Sequence, residues 1–265
     1  LCFYKPGNCR AFFYDFHFST TMFTFEVMSV LQLEISQEET LSELLRVMHS
    51  VNPVAIVQLP SVFALIAPST YKGVEALNRA KSRISGKHYG SAIGNVNHFI
   101  RIATPHLLPD FLADEADAAR LLEGSFIRLK ISESGAESPA VTNGTHQGLL
   151  LSEGPERNLF IAIENAFIKD HSNPVFAGAH YHAPICTSAN ISGDALGSIV
   201  DLDRALRFGR ESCIPLLISN SQVASSKPGS YPIFAFNHNN VRIMRHGPNQ
   251  ERILSSLPST INLQS

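Results

Sequence analysis

Apolar residues recur along the chain at two spacings, and the switches between them mark the elements. Residues 30–35 alternate as a short strand. Ser36 then reads as the cap of a helix with Glu38 and Glu39 in its first turn and Leu41, Leu44, Leu45 and Met48 at helical spacing, stopped by Asn52-Pro53. Residues 54–59 form an apolar run of buried-strand length, Pro60-Ser61 a turn, and residues 62–67 a second such run. Ser69-Thr70 caps the next helix, whose apolar face is Val74, Leu77 and Ala80, and whose end carries a basic cluster. Beyond it the pattern predicts helices over 110–122, 158–170 and 201–208, with strands over 126–131, 184–187 and 214–218. Residues 132–144 and 219–229 read as polar loops, 233–236 and 241–244 as closing strands, and the stretch after Gly247 as a weakly structured tail.

Strands and helices alternate without an internal repeat. The expected architecture is therefore a single α/β domain over 28–250, with an N-terminal extension over 1–27 kept apart from the fold and a C-terminal tail over 251–265. With 44% hydrophobic and 17% charged residues, the chain of 265 residues can bury a sizeable core. Lys and Arg number 21 against 23 Asp and Glu, a net charge of −2, which excludes a globally basic nucleic-acid binder but leaves room for a local basic patch. The longest apolar run, 54–68, is interrupted by Gln58, Pro60 and Ser61 and falls short of the roughly 20 residues that span a bilayer, so no membrane partner is expected. Cys2, Cys9, Cys186 and Cys213 are scattered without a C-x-x-C pair, as expected of reduced thiols in a cytoplasmic setting.

Two segments can carry chemistry. Lys81-Ser82-Arg83, with Lys87 close behind, concentrates cations at a helix end; such a group suits a phosphate or carboxylate, or else is a solvated end that complements the helix dipole. The second is Thr187-Ser188-Ala189-Asn190-Ile191-Ser192-Gly193, where polar side chains follow directly on an apolar strand. It can hold phosphate oxygens or the polar groups of an amino acid, or simply cap the next helix. His180 and His182 have no third ligand nearby, so no metal site is predicted. The P-loop, dinucleotide, zincin and nucleophile-elbow motifs are missing.

The order of these segments resembles the YrdC-like family of threonylcarbamoyl-AMP synthases over about residues 38–248. Residues 54–88 resemble the opening of that family, with Lys81-Ser82-Arg83-Ile84 where it has Lys-Gly-Arg-Pro. Residues 187–193 reproduce its Thr-Ser-Ala-Asn-x-Ser-Gly, and residues 240–247 look like its closing strand with Leu-Arg-x-Gly. The resemblance implies a twisted mixed sheet flanked by helices around a large, positively lined cavity. It also implies an ATP-dependent nucleotidyltransferase that makes threonylcarbamoyl-adenylate and pyrophosphate from ATP, L-threonine and bicarbonate, for modification of tRNA adenosine 37 with partner proteins. Mg²⁺ would come with ATP, held through the phosphates. Carried over by position, Lys81 and Arg83 would hold phosphates with Lys87 beside them, and Thr187, Ser188 and Asn190 would contact nucleotide and substrate.

The sequence also departs from the family. Its Pro-Thr-Asp-Thr turn is contracted to Pro60-Ser61, with Ser61 a partial substitute. Its Val-Arg-Val-Pro corresponds to residues 148–155, which lack the Arg, and its Ser-Thr-Val-Val-Asp to residues 230–236, which lack Thr and Asp. The alternative implied by these losses is a YrdC-like binding module for nucleotide or double-stranded RNA without synthase activity.

Overall fold

The computed structural model describes residues 29–83, 88–169, 171–221 and 227–264, so the 1–27 extension and Lys87 lie outside the described residues. The first half contains β1 (Leu31–Glu34), α1 (Thr40–Met48), β2 (Ala55–Gln58), β3 (Phe63–Ala67), α2 (Tyr71–Lys81), β4 (Gly90–Ala92), α3 (Val96–Arg101), α4 (Glu115–Leu122) and β5 (Ser125–Lys130). The second contains β6 (Thr145–Leu150), α5 (Pro155–Phe167), β7 (Ile185–Ser188), α6 (Leu202–Glu211), β8 (Leu216–Ser219), β9 (Ile233–Asn237), β10 (Asn240–Arg245), α7 (Gln250–Ser256) and β11 (Asn262–Gln264). The strands join one mixed sheet in the order β1-β8-β2-β3-β7-β4-β6-β5-β9-β10-β11. β7 lies near its centre, antiparallel to both β3 and β4, so the polar turn that follows it leaves the middle of the sheet.

The central strands are apolar on both faces because both faces are covered. Ile56, Phe63, Leu65 and Ala67 enter one core with Val74, Leu77 and Ala80 of α2, Phe99 of α3 and Phe208 of α6. Ala55, Val57, Ala64 and Ile66 face the opposite way, into a second core with Leu44, Val47 and Met48 of α1 and Leu159, Phe160 and Ile163 of α5. Each fully buried aliphatic or aromatic side chain contributes about 1.5–3 kcal/mol, which fixes the register of these strands.

Local signals set the course of α2. Thr70 is extended and its Oγ1 accepts from Gly73 N at 3.1 Å, as the cap signal predicts. At the other end Ser82 takes a left-handed conformation (φ 45°), with Ser82 N donating to Arg79 O and Arg83 N to Asn78 O. That reversal turns Arg83 back beside Lys81.

Three sequence expectations are corrected. Helix α1 begins at Thr40 rather than at Ser36. Glu34 N donates to Gln37 Oε1 and Thr40 Oγ1 to Glu34 O, a side-chain-to-backbone turn that displaces the first helical turn. The predicted helix over 110–122 is two pieces, a 3₁₀ turn at Asp110–Ala113 and α4, because Asp114 is extended and its side chain caps Asp117 N. The tail is not weakly structured: α7 buries Ile253 completely, and β11 pairs in parallel with β10 as the short last strand of the sheet.

Candidate functional site

On the face shared with α1 and α5, the sheet leaves a cavity of about 350 Å³. Its apolar wall includes Ala64 of β3, Phe126 of β5, Leu149 of β6 and Cys186 of β7. Its polar wall brings together Lys81, Arg83, Thr187, Ser188 and Asn190, the two candidate segments. Gly90 sits where a Cβ would lie 2.7 Å from the Phe126 ring and 3.2 Å from Gln147 O, so a side chain there would push into the wall.

Lys81 is 3% exposed, and its ammonium is satisfied by the turn after β7. Nζ donates to Ser188 O at 2.6 Å, to Asn190 O at 2.7 Å and to Asn190 Oδ1 at 3.1 Å. Asn190 Oδ1 also accepts from Ser188 Oγ at 2.6 Å, and Ser192 N donates to Lys81 O at 3.0 Å. A charge this deep is tolerated only because carbonyl dipoles replace its water. Lys81 therefore builds the site by holding the turn in shape.

Arg83 stacks on the Tyr89 ring at 3.9 Å and donates to His88 O at 2.7 Å, while Tyr89 Oη donates to Asn78 Oδ1 at 2.7 Å. Burial lowers the Arg83 pKa, with the neighbouring Tyr89 opposing it; burial likewise pushes Tyr89 up to about 12. Across the cavity, Arg245 at the end of β10 donates from Nε and Nη2 to Tyr231 O at 2.9 and 2.7 Å. Its pKa is lowered chiefly by burial, which also drives the facing Cys186 thiol up to about 12 and keeps it protonated. The described residues lining the cavity include three cations and no carboxylate, so the formal charge they bring to it is positive. The Ser192 hydroxyl, also on the wall, is buried without a hydrogen-bond partner among the described residues. An anion with several oxygens would complete such a set.

Ser61 stands apart. It lines an adjoining cavity of about 420 Å³ that shares Tyr231 with the first. Ser61 Oγ and Tyr231 Oη are both buried without a hydrogen bond of good geometry. Sequence reasoning pointed to 240–247 as a closing strand but not to Arg245 as a lining residue; its place in Met244-Arg245-His246-Gly247 was the available signal. Gln147 and Tyr231 carried no signal at all. Among the described residues no cluster of His, Cys, Asp and Glu could hold a metal ion, and no helix is long and apolar enough to cross a membrane.

No protein-family model matches the sequence, and no curated protein matches it. Solved structures do match. The chain superposes on a doubly substituted variant of P. abyssi Sua5 with a TM-score of 0.61 at 15% identity, covering 89% of this chain and 65% of that one, just under two thirds of its length. On E. coli YciO the TM-score is 0.55 at 11% identity, covering 83% of this chain and 94% of that one. The chain has the YrdC-like fold. P. abyssi Sua5 has also been solved complexed with L-threonine, and full-length HypF, matched at a TM-score of 0.52 and 15% identity over 79% of this chain and 29% of that one, in a phosphate- and nucleotide-bound form. On the YrdC-like fold of this chain, the Lys81–Asn190 contact joins the end of α2 to the turn after the central strand β7.

Proposed function

We propose that the cavity binds ATP through its phosphates and that the protein is a threonylcarbamoyl-AMP synthase-like nucleotidyltransferase using ATP, L-threonine and bicarbonate. The observation that carries this reading is the meeting of Lys81 and Arg83 with Ser188 and Asn190 in one cation-lined cavity with no carboxylate among its described lining residues. The ligands in the Sua5 and HypF structures lend it support. In the reaction, the threonine amine combines with bicarbonate, losing water, and the resulting carbamate oxygen attacks the α-phosphorus as pyrophosphate leaves. Such a displacement needs charge neutralised and reactants aligned more than it needs a protein nucleophile. Arg83 and Arg245 would neutralise phosphate oxygens, the Ser192 hydroxyl would donate to one, and Lys81 would keep the turn in position. The described lining offers no carboxylate for Mg²⁺, so the ion would enter on the ATP phosphates. The adenylate would then pass to tRNA-modifying partner proteins acting at adenosine 37, in a cytoplasmic setting.

Pyrophosphate release by the pure protein tests the reading. Release is expected only with ATP, bicarbonate and L-threonine together, and no turnover under any combination rejects it.

A second reading, a nucleotide- or duplex-RNA-binding module without synthesis, is favoured by the position of Ser61, which does not line the cavity with Lys81. Arg128 and Arg242 add cations flanking Ala235 in one row of the sheet, next to Gln147 of the cavity wall. ATP binding without turnover, or salt-dependent binding of labelled duplex RNA, would select it.

A further inference from the structure

The first cavity lies where the sheet emerges from beneath its helices, and one row of residues across the strands shows the change. Ile66 of β3 and Cys186 of β7 pair in the core shared with α1 and α5. Cys186 pairs next with Gly90 of β4, which lies against Gln147 of β6, and Cys186, Gly90 and Gln147 line the cavity. Beyond Gln147 the row runs on through Arg128 of β5, Ala235 of β9 and Arg242 of β10, with Arg128 half-buried and Arg242 exposed. A cationic shelf thus adjoins the cavity on the side where the apolar cover ends.

The shelf is short of negative charge. Arg128 and Arg242 flank the methyl group of Ala235 from the strands on either side, which puts their Cα atoms about 10 Å apart at roughly 4.8 Å per strand. Arg128 Nε donates to Thr145 Oγ1 at 2.8 Å, and Thr145 Oγ1 donates to Thr142 O at 2.7 Å, so the guanidinium is held in place. Burial lowers the Arg128 pKa, repulsion from Arg242 adds to it, and attraction by Glu137 opposes them with less effect. That carboxylate is engaged elsewhere, accepting from Asn143 N at 2.6 Å and lying 3.5 Å from His88 Nε2. Two like charges fixed in one row, with that carboxylate given to other partners, make a place for a multiply charged oxyanion.

We infer that the shelf seats the leaving pyrophosphate: Arg128 and Arg242 hold the β- and γ-phosphates over Ala235 while the α-phosphorus stays in the cavity. The inference rests on the reading of the cavity as an ATP site. At about 350 Å³ the cavity is near the lower end of ligand pockets, roughly 300–1,000 Å³, and must also admit threonine and bicarbonate. Arg245 stands over the Phe126 ring, and Arg128 follows two residues along β5, about 7 Å on and within reach of a triphosphate held at Arg245. As the carbamate oxygen bonds to the α-phosphorus, the bond to the bridging oxygen breaks and its electron pair leaves with pyrophosphate. The charge therefore builds up at the shelf, where two guanidinium groups stabilise it and an open face releases the product.

Affinities of the full chain for ATP, AMP and pyrophosphate, each with Mg²⁺ at constant ionic strength, test it by calorimetric titration of wild type, Arg242→Ala and Arg128→Gln. Because Arg242 is exposed, its replacement leaves the fold in place. Both variants are expected to bind ATP and pyrophosphate about tenfold more weakly and AMP as before. Unchanged affinity for ATP and pyrophosphate in Arg242→Ala overturns the shelf and leaves the ATP reading standing. An equal loss for AMP, which has no leaving group to hold, does the same. Wild-type protein that binds pyrophosphate in an Arg242-dependent way but no nucleotide rejects the ATP reading and keeps the shelf; one that binds none of the three rejects both.

Discussion

Lys81 Nζ donates to Asn190 Oδ1 at 3.1 Å across 109 residues of chain, and with the carbonyls of Ser188 and Asn190 this uses the three protons of a buried ammonium. The three cations of the cavity therefore divide their work. Lys81 shapes the turn, while Arg83 and Arg245 lean on backbone carbonyls at the wall. Replacing Lys81 by Met removes the donor to Ser188 O, Asn190 O and Asn190 Oδ1, of which only the last keeps another donor, Ser188 Oγ, and is expected to lower stability by about 1–3 kcal/mol, with binding lost through the collapsed turn. Arg83→Ala and Arg245→Ala should instead weaken ATP binding by about 1–3 kcal/mol at a smaller cost in stability. Urea unfolding and ATP titration of the three variants separate the roles. A Lys81→Met protein with a wild-type urea midpoint would show that the ammonium is no strut.

Ser82 sets the angle between Lys81 and Arg83 from a left-handed conformation that costs a residue with a Cβ about 1–2 kcal/mol. Glycine has no such penalty but loses more chain entropy on folding, about 0.5–1 kcal/mol. Ser82→Gly is therefore expected to stabilise the protein by roughly 0.5–1 kcal/mol while leaving ATP affinity in place. A drop in melting temperature would mean that the serine side chain is needed where it stands.

What the sequence disclosed follows from how local each signal is. Thr70 as a cap, the apolar face of α2 and the buried runs of β2 and β3 depend on neighbours in the chain, and all three are found. The pairing of the Lys81 and Ser188 segments was legible only through their order along the chain. β4 has three residues, Gly90, Ser91 and Ala92, with no apolar alternation to display, and its place beside β6 and β7 is fixed by partners far away in sequence. Arg245 reads as one more charge on an edge strand until β9 and β5 bring Phe126 beneath it, 5.6 Å from ring centre to guanidinium.

The C-terminal segment hides its structure for a related reason: α7 has seven residues, too few to display a face, yet Ile253 is fully buried in the main core. Ile253→Ala is expected to cost about 2–5 kcal/mol, as a large-to-small change in a packed core. If unfolding of that variant matches wild type, α7 is an ornament rather than part of the cooperative unit.

The interior also contains a histidine that cannot be charged without loss. His146 Nδ1 donates to Ala140 O at 2.6 Å, so its Nε2 accepts from Ser91 Oγ at 2.8 Å, with Tyr181 Oη 3.3 Å from the same hydroxyl. Burial lowers its pKa from 6.5 to about 4, against the Ala140 hydrogen bond, which raises it, while Arg128 lowers it further. The depressed value means that the unfolded chain binds this proton first. The stability tied to neutral His146 is fully present above pH 6.5 and drains away as pH falls towards 4, by about 3 kcal/mol in all. Urea unfolding at steps between pH 7 and pH 4 should show this fall, and His146→Gln, though less stable at neutral pH, should show a slope shallower by up to one proton. The His146 ring signals should likewise stay at their neutral positions until the pH nears 4. A ring that titrates near pH 6.5 in the folded protein would mean that the cluster is open to water and that the pH dependence has another source.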